Sequence, residues 1–378
     1  MARLKVFEGG LGGTFHGKFP PKNALRKKIE KLMYSERPGV FLSILSHLYG
    51  LGAGLRSFLY RAGVLKTRAL PCPVISVGNI TVGGSGKTPL TMHIAGFLRD
   101  RGVRVVVLSR GYKGSIKDVG VVTDGRKISL GPEVSGDEPY LMARRLKDVP
   151  IVVGPDRFTT GMYSIHEFSP DVIVLDDGFQ HIRLHRDLNI LLVDSKVGFG
   201  NGYVLPGGIL REPLRGIRRA DAAMIKGGAL KEEDGEFLES FALPVIRFDY
   251  RAQRCTDLKD QKESDPGTLR GKKALIVAGI ANPGSFFKTM ESLGITAVDA
   301  LFYPDHHGYT AADFQMIMDK KTSSGAELVV TTEKDGVKLE VFAGGGPAGE
   351  VYSLGIDVDI EDTKGFERLL APFAKGGL

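Results

Sequence analysis

Short and almost continuous apolar runs recur along this chain and alternate with segments of helical periodicity. Runs of this length without a polar face are typical of parallel strands that are covered by helices on both sides. The pattern predicts an α/β protein with a doubly wound, mainly parallel sheet. The clearest runs are 73–77, 103–108, 172–176, 189–194, 222–226, 244–248, 273–279, 327–331 and 351–354.

The first run leads into a glycine-rich loop, which ends at the start of a predicted helix over about 87–101. Backbone N–H groups of such a loop converge on phosphate oxygens, and the helix N-terminus adds its positive dipole end. Lys87 would reach the β- and γ-phosphates of a nucleotide, and Thr88 a magnesium ion. A P-loop NTPase-like core is therefore predicted, with a plain turn between a strand and a helix as the alternative. The candidate nucleotide-binding residues are Thr81, Val82, Gly83, Gly84, Ser85, Gly86, Lys87 and Thr88.

Two adjacent carboxylates end the predicted strand 172–176. Parallel α/β sheets bind ligands at the carboxyl ends of their strands, so Asp176 and Asp177 are candidates for the magnesium side of a phosphate site. Neighbouring residues on a strand point to opposite faces, so only one of the two is expected to approach the metal. Asp177-Gly178 is also a turn dipeptide, and a strand-terminating turn is the alternative.

Three further segments carry candidate site residues. The glycine-rich loop 200–215 contains Arg211 and Glu212, and guanidinium groups match phosphate oxygens bidentately. Asp137 opens a predicted helix, where an acid is often only a cap but could also accept a hydroxyl proton. Asp305 and His306 lie in a turn, where a histidine can polarise a carboxylate or simply pack.

A polar cluster over 178–186 follows the two carboxylates. Its histidines, His181 and His185, have no third soft ligand nearby, so the pattern does not favour a metal site. The polar side chains of this cluster, Gln180 among them, are better suited to orienting a phosphate or a hydroxylated substrate.

The N-terminal segment differs in charge from the rest of the chain. Residues 1–70 hold thirteen Lys and Arg against three Asp and Glu, and the resulting net charge of +10 exceeds the +7 of the whole chain. An uncharged stretch over 38–55 follows the basic residues Arg26, Lys27, Lys28 and Lys31. A helix that spans a bilayer would need about 20 mainly apolar residues, so this stretch is not expected to span one. The segment is predicted to dock on anionic lipid headgroups, with a core-packed helix as the alternative. Its apolar face comprises Phe41, Ile44, Leu45, Leu48, Leu51, Leu55, Phe58 and Leu59.

Composition excludes several classes of protein. Two cysteines, Cys72 and Cys255, make neither a disulfide framework nor a metal site, which indicates an intracellular protein with reduced thiols. The first residues lack an apolar run of signal-peptide length. The basic segment lacks interleaved aromatic residues, so nucleic acid is not an expected partner. No obligate protein partner is evident.

Changes in composition also predict how the chain is divided. Residues 1–70 form the basic and apolar N-terminal segment, and 71–250 the P-loop core. The polar stretch 251–271 is predicted to be a linker. A second α/β unit is predicted over 272–378, where a new apolar run begins.

Six motifs in this order resemble the tetraacyldisaccharide 4'-kinase (lipid A 4'-kinase) family over about residues 38–370. They are Gly-Asn-Ile-Thr-Val-Gly-Gly-Ser-Gly-Lys-Thr-Pro at 78–89, Ser-Arg-Gly-Tyr at 109–112, Gly-Asp-Glu-Pro at 136–139, Leu-Asp-Asp-Gly-Phe-Gln-His at 175–181, Leu-Pro-Gly-Gly-Ile-Leu-Arg-Glu-Pro at 205–213 and Phe-Tyr-Pro-Asp-His-His at 302–307. The resemblance implies a P-loop kinase core joined to a smaller C-terminal α/β domain, with Thr81 belonging to the family's own loop.

The resemblance also implies an activity. It is the transfer of the γ-phosphoryl group of ATP, with Mg²⁺, to the 4'-hydroxyl of a lipid A disaccharide 1-phosphate at the cytoplasmic face of the bacterial inner membrane. The N-terminal segment matches the membrane-docking helix of the family.

Site roles follow residue by residue from the same resemblance. Asp137 matches the general base, supported by His306, while Thr88 and Glu212 match positions around magnesium. The remaining matches, whose individual duties stay open, are Asp176, Asp177, Asp305 and Arg211.

The competing interpretation is a P-loop GTPase or ATPase switch that acts on a protein partner. Guanine specificity normally uses an Asn/Thr-Lys-x-Asp motif. The nearest candidate here is 332–335, where Lys334 and Asp335 are adjacent and the spacing fails. Full activity after removal of residues 1–60 would instead indicate a soluble small-molecule kinase.

Overall fold

The computed structural model describes residues 38–84, 86–281, 283–344 and 350–374. Its α-helices are α1 (Val40–Arg61), α2 (Lys87–Arg99), α3 (Pro132–Ser135), α4 (Asp137–Arg145), α5 (Arg157–Phe168), α6 (Glu232–Glu239), α7 (Pro283–Ser292), α8 (Ala311–Ser323), α9 (Glu333–Ala343) and α10 (Thr363–Leu370). Its strands are β1 (Val74–Gly78), β2 (Val105–Ser109), β3 (Gly120–Thr123), β4 (Ile151–Val153), β5 (Val172–Asp176), β6 (Leu188–Asp194), β7 (Ala222–Lys226), β8 (Val245–Asp257), β9 (Glu263–Ser264), β10 (Lys273–Ala278), β11 (Thr296–Phe302), β12 (Leu328–Thr332) and β13 (Val351–Ile360).

The described chain divides into two compact units. The larger holds residues 38–250 and 358–374, and the smaller holds 251–357.

Parallel strands form the centre of the larger unit. Their order is β8-β7-β6-β1-β5-β2-β4-β3, and only β3 at the end of this order is antiparallel to its neighbour. All five residues of β1 and of β5 are buried, as the continuous apolar runs require. Helix α2 packs Leu90, Ile94 and Leu98 against this sheet. The predicted α/β class with a parallel core is confirmed, and the carboxyl ends of β1 and β5 lie side by side.

The smaller unit has its own parallel strands and its own core. Their order is β11-β10-β12-β13. Buried residues of β10 alternate between two hydrophobic clusters, Ala274 and Ile276 in one and Leu275 and Val277 in the other. The sheet therefore has an apolar layer on each face.

The polar stretch 251–271, predicted as a linker, contains regular structure. It includes the second half of β8, the short strand β9 and a 3₁₀ turn over Pro266–Leu269. Exposed and buried side chains alternate along much of β8. Polar residues on the outer side of a strand lower its mean hydropathy, which is why composition alone suggested a loop.

Helix α1 is attached to the larger unit by its small side chains. Ser46 is buried and donates a hydrogen bond of 2.8 Å to the carbonyl of Val204, while its oxygen accepts one of 2.7 Å from the Gly207 N–H. Six of the eight side chains of the predicted apolar face are exposed, with Phe41 73% exposed and Leu51 70% exposed, while Leu45 and Leu59 are half-buried. The alternative of a core-packed helix is therefore wrong for this apolar face.

No helix among the described residues combines the length and apolar content that crossing a bilayer requires. The basic residues Arg26, Lys27, Lys28 and Lys31 lie outside the described residues.

Candidate active site

The phosphate loop connects β1 to α2, as the sequence predicts. Gly86 takes a positive φ of 87° directly before the helix, a conformation that glycine adopts without strain. Its carbonyl accepts a hydrogen bond from the hydroxyl of Tyr250. A Cβ on Gly86 would lie 2.5 Å from that hydroxyl oxygen, so a larger residue does not fit. The predicted loop residue Ser85 lies outside the described residues.

A second segment pairs with residues 80–82, at the start of the phosphate loop. The Val82 N–H donates to the carbonyl of Ile209 at 2.8 Å, and the Arg211 N–H donates to the carbonyl of Ile80 at 2.7 Å. These backbone bonds bring the predicted arginine loop beside the phosphate loop. Arg211 and Lys87, which are 124 positions apart in sequence, therefore meet at one site.

The two carboxylates at the end of β5 have different surroundings. Asp176 is buried and accepts a hydrogen bond of 3.0 Å from Thr91 on α2. Asp177 leaves the strand with a φ of 52°, unusual for a residue other than glycine. Its carboxylate lies 3.6 Å from Lys87 Nζ and accepts hydrogen bonds of 3.0 and 3.1 Å from Arg211 Nη1.

Their surroundings shift the pKa values of the two carboxyl groups in opposite directions. Burial raises the pKa of Asp176, and the charges of Glu138 and Asp177 raise it further. Burial alone would also raise the pKa of Asp177, but Lys87 and Arg211 hold it below its usual value. Asp177 is therefore the ionised partner of the two cations, and Asp176 is a buried carboxyl that an added cation would favour in its charged form.

Glu212 is a buried carboxylate held at both oxygens. Gln180 donates to Oε1 at 3.0 Å, and Arg219 donates to Oε2 at 2.6 Å. Gln180 also donates to the carbonyl of Asn79 at 2.7 Å, which ties Glu212 to the residue that follows β1. A cavity of about 350 Å³ adjoins this group and is lined by Tyr49, Ala53, Arg56, Val82, Gln180, Ile182, Leu205, Arg211, Glu212 and Arg219.

Asp137 is the first residue of α4 in the larger unit. The residue before it, Gly136, has a φ of 91°. A Cβ on Gly136 would lie 2.6 Å from the carbonyl oxygen of Tyr112, so a larger residue does not fit there. This close approach explains why the Gly-Asp-Glu-Pro motif begins with glycine.

Asp305 and His306 lie together in the smaller unit, in the loop after β11. His306 Nε2 is 3.1 Å from Lys334 Nζ, which also donates to Asp305 at 3.2 Å. Asp137 and His306 therefore belong to different units.

Several contributors to the site have no functional assignment from the sequence. Asn79 accepts a hydrogen bond of 3.3 Å from Lys87, while Thr91 and Arg219 hold the two acids described above. Asn79 lies two residues after the predicted strand 73–77, and a polar residue so close to the carboxyl end of a parallel strand could have been predicted as a site residue. Tyr250 is 164 residues from Gly86, and no local pattern indicates their contact.

The comparisons with known proteins agree with these observations. The family model described as tetraacyldisaccharide-1-P 4'-kinase matches residues 39–374. The chain belongs to the tetraacyldisaccharide 4'-kinase family. It is therefore an enzyme, a kinase of the transferase class, and the resemblance drawn from the six motifs is confirmed.

Individual relatives match over most of their length. The chain is 38% identical over 361 residues to the tetraacyldisaccharide 4'-kinase of Desulfatibacillum aliphaticivorans, which covers 92% of this chain and 98% of that protein. It is 45% identical over 295 residues to that of Pelobacter propionicus, covering 78% and 81%. Among solved structures it resembles LpxK from Aquifex aeolicus in complex with ATP, with 36% identity, a TM-score of 0.71 and coverage of 87% and 97%.

Proposed function

We propose that this kinase transfers the γ-phosphoryl group of ATP to the 4'-hydroxyl of a lipid A disaccharide 1-phosphate. The observation that carries the proposal is the contact of Asp177 with both Lys87 and Arg211 beside the phosphate loop. Phosphoryl transfer depends mainly on alignment and charge neutralisation, and two cations at a phosphate loop supply both. Membership of the 4'-kinase family supports the lipid acceptor.

We assign the following roles to the chain's own residues. The loop backbone and Lys87 hold the phosphates of ATP, and Arg211 offsets charge that develops during transfer. The family resemblance assigns to Asp137 the acceptance of the proton from the acceptor hydroxyl, and to His306 a supporting role. The resemblance supports these last two roles, and Asp177 and Asp305 keep Arg211, Lys87 and Lys334 oriented.

The donor set also fits a magnesium ion. Among the described residues, no group of three or more His, Cys, Asp or Glu could hold a metal. Mg²⁺ at nucleotide sites is usually bound by one or two carboxylates together with phosphates and waters, so a full protein cage is not required. Thr88, Glu212 and Asp176 would hold the ion, and when bound it would neutralise charge on the phosphates.

The exposed face of α1 supports action at a membrane surface. Its large apolar side chains form a stripe that the larger unit leaves uncovered, and Arg56 and Arg61 lie on the same helix. Apolar burial combined with attraction to anionic lipid is the usual basis of interfacial helix binding. We propose a peripheral attachment at the cytoplasmic face of the inner membrane, where an acylated acceptor resides.

Transfer of labelled γ-phosphate tests the activity directly. Purified protein is mixed with ATP and lipid A disaccharide 1-phosphate in detergent micelles, with Lys87→Ala as the matched variant. A new 4'-phosphate that depends on Lys87 supports the proposal. Turnover of ATP or GTP without lipid product would contradict it and favour the alternative, a nucleotide switch acting on a protein.

The membrane attachment has its own test. We expect the double variant Leu51→Ser with Phe58→Ser to lose cosedimentation with vesicles that contain anionic lipid, while its melting temperature stays unchanged because both side chains are exposed. Unaltered vesicle binding by this variant would show that α1 is not the docking element.

A further inference from the structure

Three adjacent parallel strands end at the edge of the sheet that carries the phosphate loop. Strand β1 leads into the loop, β6 lies beside β1, and β7 lies beside β6. Asp194 is the last residue of β6 and Lys226 the last residue of β7, and the two are paired in the register of these strands. Because the carboxyl ends of parallel strands meet at one edge of a sheet, both residues lie on the side of the phosphate loop.

A largely buried ion pair joins the ends of β6 and β7. Lys226 Nζ donates a hydrogen bond of 2.7 Å to Asp194 Oδ2, and the two side chains are only 18% and 13% exposed. The other oxygen of Asp194 accepts a hydrogen bond of 3.1 Å from the Lys196 N–H, in the turn after β6. A buried charge needs a partner to offset its desolvation, so Asp194 supplies the counter-charge and restrains where Nζ lies.

The ammonium group of Lys226 has a second neighbour on β8. Its Nζ lies 5.5 Å from the centroid of the Tyr250 ring, which is within the range of cation–π attraction. Phe248 meets the same ring in a T-shaped arrangement, with the two ring centroids 5.4 Å apart. The hydroxyl of this ring donates to the carbonyl of Gly86, at the end of the phosphate loop. A series of contacts therefore leads from the ion pair to the loop.

We propose that Lys226 is a positioning residue for ATP binding, which acts through Tyr250 on the phosphate loop. A cation over an aromatic ring restrains where the ring lies, and the attraction is stronger when the pair is shielded from water. The position of the ring sets the position of its hydroxyl, which holds the Gly86 carbonyl. Gly86 directly precedes Lys87 with a φ of 87°, so its orientation affects how the loop and the helix N-terminus meet phosphate.

This inference rests on the use of ATP at the phosphate loop in the proposed function, and it does not depend on the lipid acceptor. The plain alternative is that the ion pair only joins β6 to β7. A joining role would lower the melting temperature, but its effect on ATP affinity would not depend on the hydroxyl of Tyr250. The two interpretations therefore differ in a measurable coupling between Lys226 and Tyr250.

A double-mutant cycle measures whether one residue acts through another. Isothermal titration of the full chain with ATP and Mg²⁺ compares Lys226→Met, Tyr250→Phe and the double variant. Lys226→Arg is the conservative variant, because a guanidinium also pairs with a carboxylate and stacks on an aromatic ring. Lys321→Met is the matched control, since Lys321 is 12% exposed and pairs with Glu350 at the same distance of 2.7 Å in the smaller unit.

We expect Lys226→Met to raise the Kd for ATP about 3- to 10-fold, the size expected from loss of a shielded cation–π contact. In the Tyr250→Phe background the same substitution should change the Kd by less than about twofold, because the ring then no longer holds Gly86. Lys226→Arg and Lys321→Met should keep the Kd of the unaltered protein. Circular dichroism and melting temperatures show which variants are folded. If Lys226→Met does not fold, Lys226→Gln, whose amide can donate to Asp194, replaces it in the same cycle.

Two results would overturn the inference. One is an unchanged Kd for ATP in the Lys226 variant, and the other is an equal loss of affinity in the original and the Tyr250→Phe backgrounds. The titrations contain no lipid, so absence of lipid phosphorylation would contradict the proposed function and leave this inference standing. The two failures are therefore distinguishable.

Discussion

Replacement of Tyr250 by phenylalanine removes one hydroxyl group from beneath the phosphate loop. The ring should stay in place, because it packs edge-on against the Phe248 ring with the two ring centroids 5.4 Å apart, and Lys226 Nζ lies 5.5 Å from the Tyr250 ring centroid. Burial raises the pKa of the Tyr250 hydroxyl, so it remains a protonated donor throughout the physiological range. The variant therefore removes the hydrogen bond to Gly86 and little else.

The expected loss follows from the general energetics of such bonds. A neutral hydrogen bond contributes about 0.5–1.5 kcal/mol net, and leaving the Gly86 carbonyl unsatisfied costs about 1–3 kcal/mol. A loss of about 1–2 kcal/mol corresponds to a factor of roughly 5–30 in an equilibrium constant. Because Gly86 must be ordered before its loop can hold phosphate, we expect most of this loss in ATP affinity.

Isothermal titration with ATP and Mg²⁺ measures the effect, with Tyr352→Phe as the control for loss of a tyrosine hydroxyl in the smaller unit. We expect Tyr250→Phe to raise the Kd for ATP about 5- to 30-fold by the estimate above and the control to leave it unchanged. An ATP affinity within about twofold of the original, together with a lowered melting temperature, would refute this reasoning. The hydroxyl would then stabilise the fold alone.

Three further predictions concern the same unit. Gly86→Ala should abolish ATP binding measured by titration, because its Cβ would meet the Tyr250 ring and its φ is positive; retained binding would show that the loop relaxes. Arg211→Lys should lower kcat for lipid phosphorylation by about 10-fold or more, since Nη1 alone contacts both Asp177 oxygens and the guanidinium keeps further N–H donors for phosphate, which a lysine ammonium in the same contact does not supply in that planar arrangement; an unchanged kcat would contradict the assigned role. Burial, followed by neighbouring arginines, lowers the pKa of His181 from 6.5 to about 4. The unfolded ring binds a proton near pH 6.5 and the folded ring only near pH 4, so stability falls as pH decreases through this interval. Thermal melts between pH 7 and 4 should show a shallower decline for His181→Gln, and an identical decline would refute the assignment.

Local pattern determined most of the elements that build this site. The predicted strand 172–176 has the same bounds as β5. The helix predicted to start at residue 87 begins at Lys87 in the structure. Continuous apolar runs and a glycine loop before a helix depend on neighbouring residues only. Their strand and helix preferences therefore appear in the sequence itself.

The outward orientation of α1 required the tertiary structure. Helical spacing gives an apolar face, but it does not say whether that face meets the protein or another surface. Ser46 and Gly50 settle the question, because small residues on the opposite face allow close contact with Val204. Packing against a distant segment is invisible to a periodicity that covers one helix.

The sequence by itself determined the family, the phosphate loop and the acidic strand end, since each is carried by adjacent residues. Only the tertiary structure decided that Asp177 faces Lys87 and Arg211 while Asp176 faces Thr91. It likewise decided which histidine meets Lys334. The physical reason is that these contacts join residues from different strands, helices and loops, whose approach depends on how the whole sheet and its helices pack.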